Sequence, residues 1–294
     1  MIIVKLKGGM GNQMFQYAIG RELSIKHNTS LGLDLTFLLD RTPRPRSHRF
    51  TFYDYYLDIF NINAEIVSQS KVPLICRTFK GKIGLYFDYF RRKFLKLPGT
   101  EKSFNFDSSI FNIGPDIYLD GYWQSPKYFS DVEDVIRKDF IFKEELPENI
   151  KSLMKEIKDS NSLCIHVRRG DYIGNPVHDI VGKEYYDEGI NKIKNLVKID
   201  KIYVFSNDKK WCEENLHFNF PTMFVGEEYS GKNAEGHMYL ISGCKYFIIA
   251  NSSFSWWGAW LSERKEKIVV CPKQWFGNVS RDTSNLIPNS WIRI

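Results

Sequence analysis

Along the second half of the chain, short apolar runs recur at 163–167, 202–206, 222–225, 246–250 and 267–271. Helical patterns fall between or after them at 183–196, 234–243 and 254–263. A strand that is apolar at nearly every position must be covered on both faces, and alternation with helices supplies that cover. This half is therefore expected to be a doubly wound parallel sheet. In such sheets ligands bind beyond the carboxyl ends of the strands.

The first half opens the same way. Residues 2–6 read as a buried strand, Gly8-Gly9-Met10-Gly11 breaks it, and a helix is expected from Gln13, with Met14, Tyr17, Ala18, Leu23 and Ile25 on its apolar positions. Leu31-Gly32-Leu33-Asp34 reads as a second strand ending in a carboxylate, and Ile117-Tyr118-Leu119-Asp120 as another. After Pro147 a helical pattern runs to about Asp159. Two α/β domains follow, 1–146 and 147–294, facing across a cleft. Residues 40–110 are less regular. They contain the proline-spaced basic loop Arg41–Arg46 and the segment 83–97, where Tyr86 to Phe94 mix aromatics with cations. That segment suits a basic amphipathic helix on an anionic membrane surface. The commoner arrangement is a helix packed on its own domain with a solvated cationic face.

A net charge of +6 favours anionic partners. No charge run is long enough for a nucleic-acid tail, so no nucleic-acid partner is expected. No window approaches the ~20 uncharged apolar residues of a membrane span. The N-terminus lacks a signal peptide's apolar length and cleavage site, so the expected location is cytoplasmic, or peripheral at the inner membrane through 83–97. The five cysteines have no paired spacing, which points to reduced thiols and no zinc site.

Three strand ends carry the chemistry. The run Leu163-Cys164-Ile165 leads into His166-Val167-Arg168-Arg169-Gly170-Asp171-Tyr172, placing two guanidiniums and a carboxylate where a ligand would sit. Arginine's planar fork suits phosphate oxygens, and Asp171 can hold a fork in one orientation. The second strand end is Ser206-Asn207-Asp208. Asp208 suits either a guanine's N1–H and amino group or the cap of the next helix. The third is Asn251-Ser252-Ser253-Phe254-Ser255. Ser252, Ser253 or Ser255 can cap the following helix, and that helix N-terminus is also a natural phosphate seat. His166 can donate to a ribose or phosphate oxygen, or make a satisfied structural bond. The loop Gly8–Gln13 matches neither a P-loop nor a dinucleotide fingerprint, although Gly11 lets a backbone approach a ligand and Asn12 sits at the helix start.

Four blocks together resemble the α-1,2-fucosyltransferases of glycosyltransferase family 11, bacterial members especially: Gly8 to Ala18; Gly121-Tyr122-Trp123-Gln124 with Tyr128-Phe129; His166 to Tyr172; and Asn251 to Leu261. The resemblance implies a GT-B fold of two Rossmann-like domains. Residues 1–146 would form the acceptor-side domain and 147–294 the GDP-fucose-binding domain. It implies inverting transfer of L-fucose from GDP-β-L-fucose to the 2-hydroxyl of a terminal galactose. The acceptor would be a β-galactoside, free or on a lipid-linked oligosaccharide, in O-antigen, capsule or similar glycan synthesis. Arg168 would contact the pyrophosphate and Asp171 position the arginines or touch the fucose. Asp208 would lie at the guanine, Ser252 and Ser253 at the phosphates, and Asn12 at the donor sugar. Asp-x-Asp occurs nowhere in the chain, so the leaving-group charge is expected to be met without metal or cofactor, by arginine, serine hydroxyls and a helix N-terminus. Asp34, with Asp120, Asp171 or a water relay as competitors, is the candidate general base. Tyr122 and Trp123, with Gln124, are candidates for the acceptor, by stacking on galactose or, alternatively, as core. The alternative function is a non-catalytic GDP-sugar binding module.

Overall fold

The computed structural model describes residues 1–42, 51–77, 79, 81–95, 97–277 and 281–294; Pro43–Arg46, Lys96 and Asn278 lie outside them. The chain divides into two compact units: Met1–Lys143 with Asp282–Ile287, and Glu144–Arg281 with Pro288–Ile294. The second unit is thus not one continuous stretch. Within the first, the Ser125 hydroxyl donates to the Asn285 carbonyl at 2.6 Å.

The first unit contains β1 (Ile2–Lys5), α1 (Met10–Lys26), β2 (Leu31–Asp34), β3 (Glu65–Ile66), α2 (Gly81–Phe90), β4 (Ile117–Leu119) and α3 (Glu133–Asp139). Its sheet is wholly parallel in the order β3-β2-β1-β4. Every residue of β1 and β2 is buried, which is why both read as apolar runs. Helix α1 starts at Met10, three residues before the expected Gln13, with Gly9 at its cap position. Gln13 is instead an anchor: its amide donates to the Gly8 and Asp54 carbonyls at 2.8 Å and accepts from the Tyr56 N–H. Gln16 clamps both backbone groups of Lys7 at 3.0 Å. Gly20 brings α1 close to the sheet, since a Cβ there would meet Val4 Cγ2 at 2.5 Å.

A buried ion cluster ties α2 to the sheet. Lys5 lies 2.6 Å from Asp88, Lys7 lies 2.8 Å from Asp120, and Arg91 lies 2.7 Å from Asp88 and 2.8 Å from Asp120. Burial pushes the Asp88 carboxyl up, but Lys5 and Arg91 outweigh it and hold it below its ordinary value. Among the described residues of the segment 83–97, buried charges and exposed aromatics lie on different faces. Paired charges face inward from α2 and the π-helical turn Arg91–Leu95 that extends it, while Ile83, Tyr86, Phe90 and Phe94 face outward.

The second unit contains α4 (Glu148–Lys158), β5 (Ser162–Val167), α5 (Lys183–Lys194), β6 (Lys201–Ser206), α6 (Lys209–Asn215), β7 (Thr222–Phe224), α7 (Glu235–Gly243), β8 (Tyr246–Ile248), α8 (Ser253–Leu261), β9 (Ile268–Cys271) and β10 (Ile292–Arg293). All six strands are parallel, in the order β10-β9-β8-β5-β6-β7. The alternating pattern thus yields the doubly wound sheet expected of it. Helix α4 buries Ile150, Leu153, Met154 and Ile157, one face at helical spacing. The core gathers β5, β6 and β8 against Tyr186, Ile190 and Ile193 of α5. All five cysteines are buried and free.

Candidate functional site

Strand order places the arginine motif. The chain enters this sheet at β5, moves outward through β6 and β7, then returns to the other side of β5 with β8, β9 and β10. The direction reverses beside β5, and such a switch point opens a crevice beyond the strand ends. The three polar strand ends expected to converge do so, because β5 is bonded to β6 on one side and β8 on the other.

Arg169 is held at three points. Its N–H donates to Asn207 Oδ1 at 2.9 Å, its Nε lies 3.2 Å from Asp208 Oδ2, and its guanidinium lies 3.8 Å from the centre of the Trp211 ring. Gly170 closes the turn at φ +37°; a Cβ there would lie 2.4 Å from Asn207 Nδ2. Arg168 forms an ion pair with Asp171, Nη2 to Oδ1 at 2.8 Å, and its guanidinium lies 5.4 Å from the Tyr172 ring. Asp171 thus stands where it can orient Arg168. Asp208 caps α6, accepting from the Trp211 N–H at 3.2 Å, while holding Arg169 with its other oxygen.

His166 is buried beneath this turn. Burial, with the charge of Arg168 and the proximity of His237, depresses its pKa to about 3, so the ring is neutral at ordinary pH. Its Nδ1 has no hydrogen-bond partner among the described residues. A neutral imidazole can still donate from one nitrogen. Ser252 occupies the cap position of α8, yet its hydroxyl caps no helix N–H. Ser255 turns inward, 3.2 Å from the Ser252 carbonyl, a structural bond rather than a ligand contact. Asn251 braces the crevice wall by donating to the His178 and Trp275 carbonyls at 3.1 Å.

The candidates of the first unit separate into two groups. Asn12 accepts from Gln124 Nε2 at 2.6 Å, so these two are brought together, with Gly11 buried beside Asn12. Tyr122 is 39% exposed, with Lys7 Nζ 4.7 Å from its ring centre. Trp123 is buried edge-on against Tyr128, at 5.3 Å between ring centres, so of its two readings the structure supports core packing. Asp34 is fully buried with both oxygens occupied: Oδ1 accepts from Thr36 N and Gln69 Nε2 at 2.9 Å, and Oδ2 from the Tyr118 hydroxyl at 2.7 Å. Asp120 is fully buried within the ion cluster. As candidate bases, both meet carboxylates engaged in holding the sheet.

The sequence reading passed over Trp211, whose ring supports Arg169, and named Tyr172 only as the end of the arginine motif, without the role its hydroxyl takes in donating to the Asn251 carbonyl at 3.3 Å. Trp211 had a signal, since the third residue after a helix-capping aspartate stands over that cap.

The family model Glycosyl transferase family 11 matches residues 82–294. An alpha-1,2-colitosyltransferase of Escherichia coli is 32% identical, with 100% of this chain and 99% of that protein covered. The O-antigen biosynthesis glycosyltransferase WbnK of Escherichia coli is 33% identical over 98% of this chain and 99% of its own length. Among solved structures, the NodZ alpha-1,6-fucosyltransferase soaked with GDP-fucose superposes with a TM-score of 0.53 at 16% identity, covering 88% of this chain and 92% of that one. Its likeness is one of fold: the two parallel α/β units are of the GT-B type.

Proposed function

The chain belongs to glycosyltransferase family 11, and on that premise we propose that it transfers L-fucose from GDP-β-L-fucose to the 2-hydroxyl of a terminal galactose. The acceptor oxygen attacks the anomeric carbon from the face opposite GDP. The bond from that carbon to the diphosphate oxygen breaks, the acceptor proton is released, and the β-linked donor becomes an α-linked product. The observation that carries this reading is the crevice beside β5, where Arg168, held by Asp171, and Arg169 stand next to the N-terminus of α8.

Arg168, the hydroxyls of Ser252 and Ser253, and the first N–H groups of α8 take up the charge developing on the departing diphosphate, so no metal is needed. His166 donates to a phosphate or ribose oxygen while remaining neutral. Asp208 reads the guanine by exchanging its Arg169 contact while keeping its cap on α6. In the first unit, Asn12 and Gln124 are the sugar-binding candidates, and Tyr122 offers a ring to the galactose. The O-antigen name of one relative supports an oligosaccharide acceptor. The colitosyl name of the other makes colitose the competing donor sugar. The two sugars differ at carbon 3, where fucose carries a hydroxyl.

The test offers GDP-fucose and GDP-colitose with a panel of β-galactosides in excess EDTA, reading GDP release and the product linkage by NMR. The expected result is an α-1,2-fucoside. Arg168→Ala is expected to lower kcat/KM by about 10²-fold or more at unchanged Tm, by analogy with lost oxyanion donors. Preference for GDP-colitose would replace the donor. Dependence on added metal would overturn metal independence. GDP binding with no turnover on any galactoside would make the chain a binding module.

A further inference from the structure

The segment from Arg77 to residue 96 holds seven Lys or Arg against one acid, Asp88. Its balance of +6 equals that of the whole chain, so the rest of the molecule is neutral on balance. The one acid is spent inside, between Lys5 and Arg91. On the outside, Ile83 is 86% exposed, Tyr86 76%, Tyr89 58% and Phe94 57%, with Phe79 and Phe90 also exposed. Ile83, Tyr86, Phe87 and Phe90, with Lys82, line a shallow surface depression. A soluble helix ordinarily turns such residues to the core. Here the inward positions are taken by Asp88 and Arg91, whose ion pairs leave the aromatics no interior to fill.

We propose that the outer face of α2 and its π-helical extension docks on an anionic lipid bilayer. Charge selects that occupant. A second copy of the chain laid on this face would bring together two segments that each carry a net +6, whereas anionic headgroups neutralise them. The mixture of tyrosine with phenylalanine and isoleucine suits the boundary between headgroups and acyl chains, where rings bury their bodies and hydroxyls stay wet. The inference rests on this face alone and is independent of the sugar chemistry proposed above.

The experiment is flotation of the full chain with vesicles of phosphatidylcholine alone and with about one-third phosphatidylglycerol. Binding to the anionic vesicles only is expected, weakening as salt rises. Tyr86→Ser with Phe94→Ser should weaken it by about tenfold or more, and Lys82→Glu by several-fold, with circular dichroism unchanged because all three side chains are exposed. Absence of binding, equal binding to neutral vesicles, or binding indifferent to the paired variant would overturn the proposal. So would a dimer on gel filtration that the paired variant returns to monomer, which would assign the face to a second copy.

Discussion

Replacing Gly170 with alanine separates the turn that carries the arginines from the sheet beneath it. The residue sits at φ +37°, and a new Cβ would lie 2.4 Å from Asn207 Nδ2. A side chain in the left-handed region costs about 1–2 kcal/mol. Displacing Asn207 also loses its hydrogen bond to the Arg169 N–H, worth about 1 kcal/mol. Together these cost about 2–3 kcal/mol, which an anion must supply to restore the turn, so GDP affinity should fall by about 30- to 150-fold. Isothermal calorimetry measures it. Gly174→Ala is the control: Gly174 has φ +70°, but a Cβ there meets nothing within 4 Å, so only the backbone cost applies and GDP affinity should fall less than for Gly170→Ala. In an Asn207→Ala background the added alanine should lose its steric component, a double-mutant cycle that isolates the collision. Equal weakening of GDP by Gly170→Ala and Gly174→Ala, or no weakening by the former, would refute the reasoning.

Three further outcomes follow from the same structure. Asp34→Asn mispairs the Tyr118 hydroxyl and should cost about 1–3 kcal/mol, seen as a lower Tm with kcat nearly intact; a drop in kcat of about 10²–10⁴ at unchanged Tm would instead make Asp34 the base. His166, depressed from 6.5 to about 3, contributes stability that is complete above about pH 6.5 and is lost as pH falls toward 3. His166→Gln should flatten that acid limb in denaturant melts, and parallel curves for the two proteins would count against the assignment. Asp120→Asn leaves Lys7 and Arg91 without their shared carboxylate and should cost about 3–5 kcal/mol, a fall in Tm on the order of 10 °C.

Much of the fold was legible because strands covered on both faces must be apolar at nearly every position. The runs at 31–34, 163–167 and 202–206 correspond to β2, β5 and β6 within a residue. Other elements left no such mark. β3 and β10 are two residues each, too short for any period, and exist only through their neighbours β2 and β9. The start of α1 was misplaced because Gln13 and Gln16 bond to distant backbone, a role that no local spacing encodes.

By itself the sequence determined the alternation of strand and helix, the polar strand ends, and the charge concentrated around α2, since these are properties of residue types taken in order. Only the tertiary structure decided which strand ends are neighbours. β8 lies beside β5 although some eighty residues separate them, and that adjacency sets the α8 N-terminus next to the arginine turn. It also decided which carboxylates are engaged as anchors: Asp34 and Asp120 end their strands much as Asp171 follows its own, but Tyr118, Lys7 and Arg91 close around them. Burial and pairing depend on what the chain brings back from far away, and that information lies in no single stretch of residues.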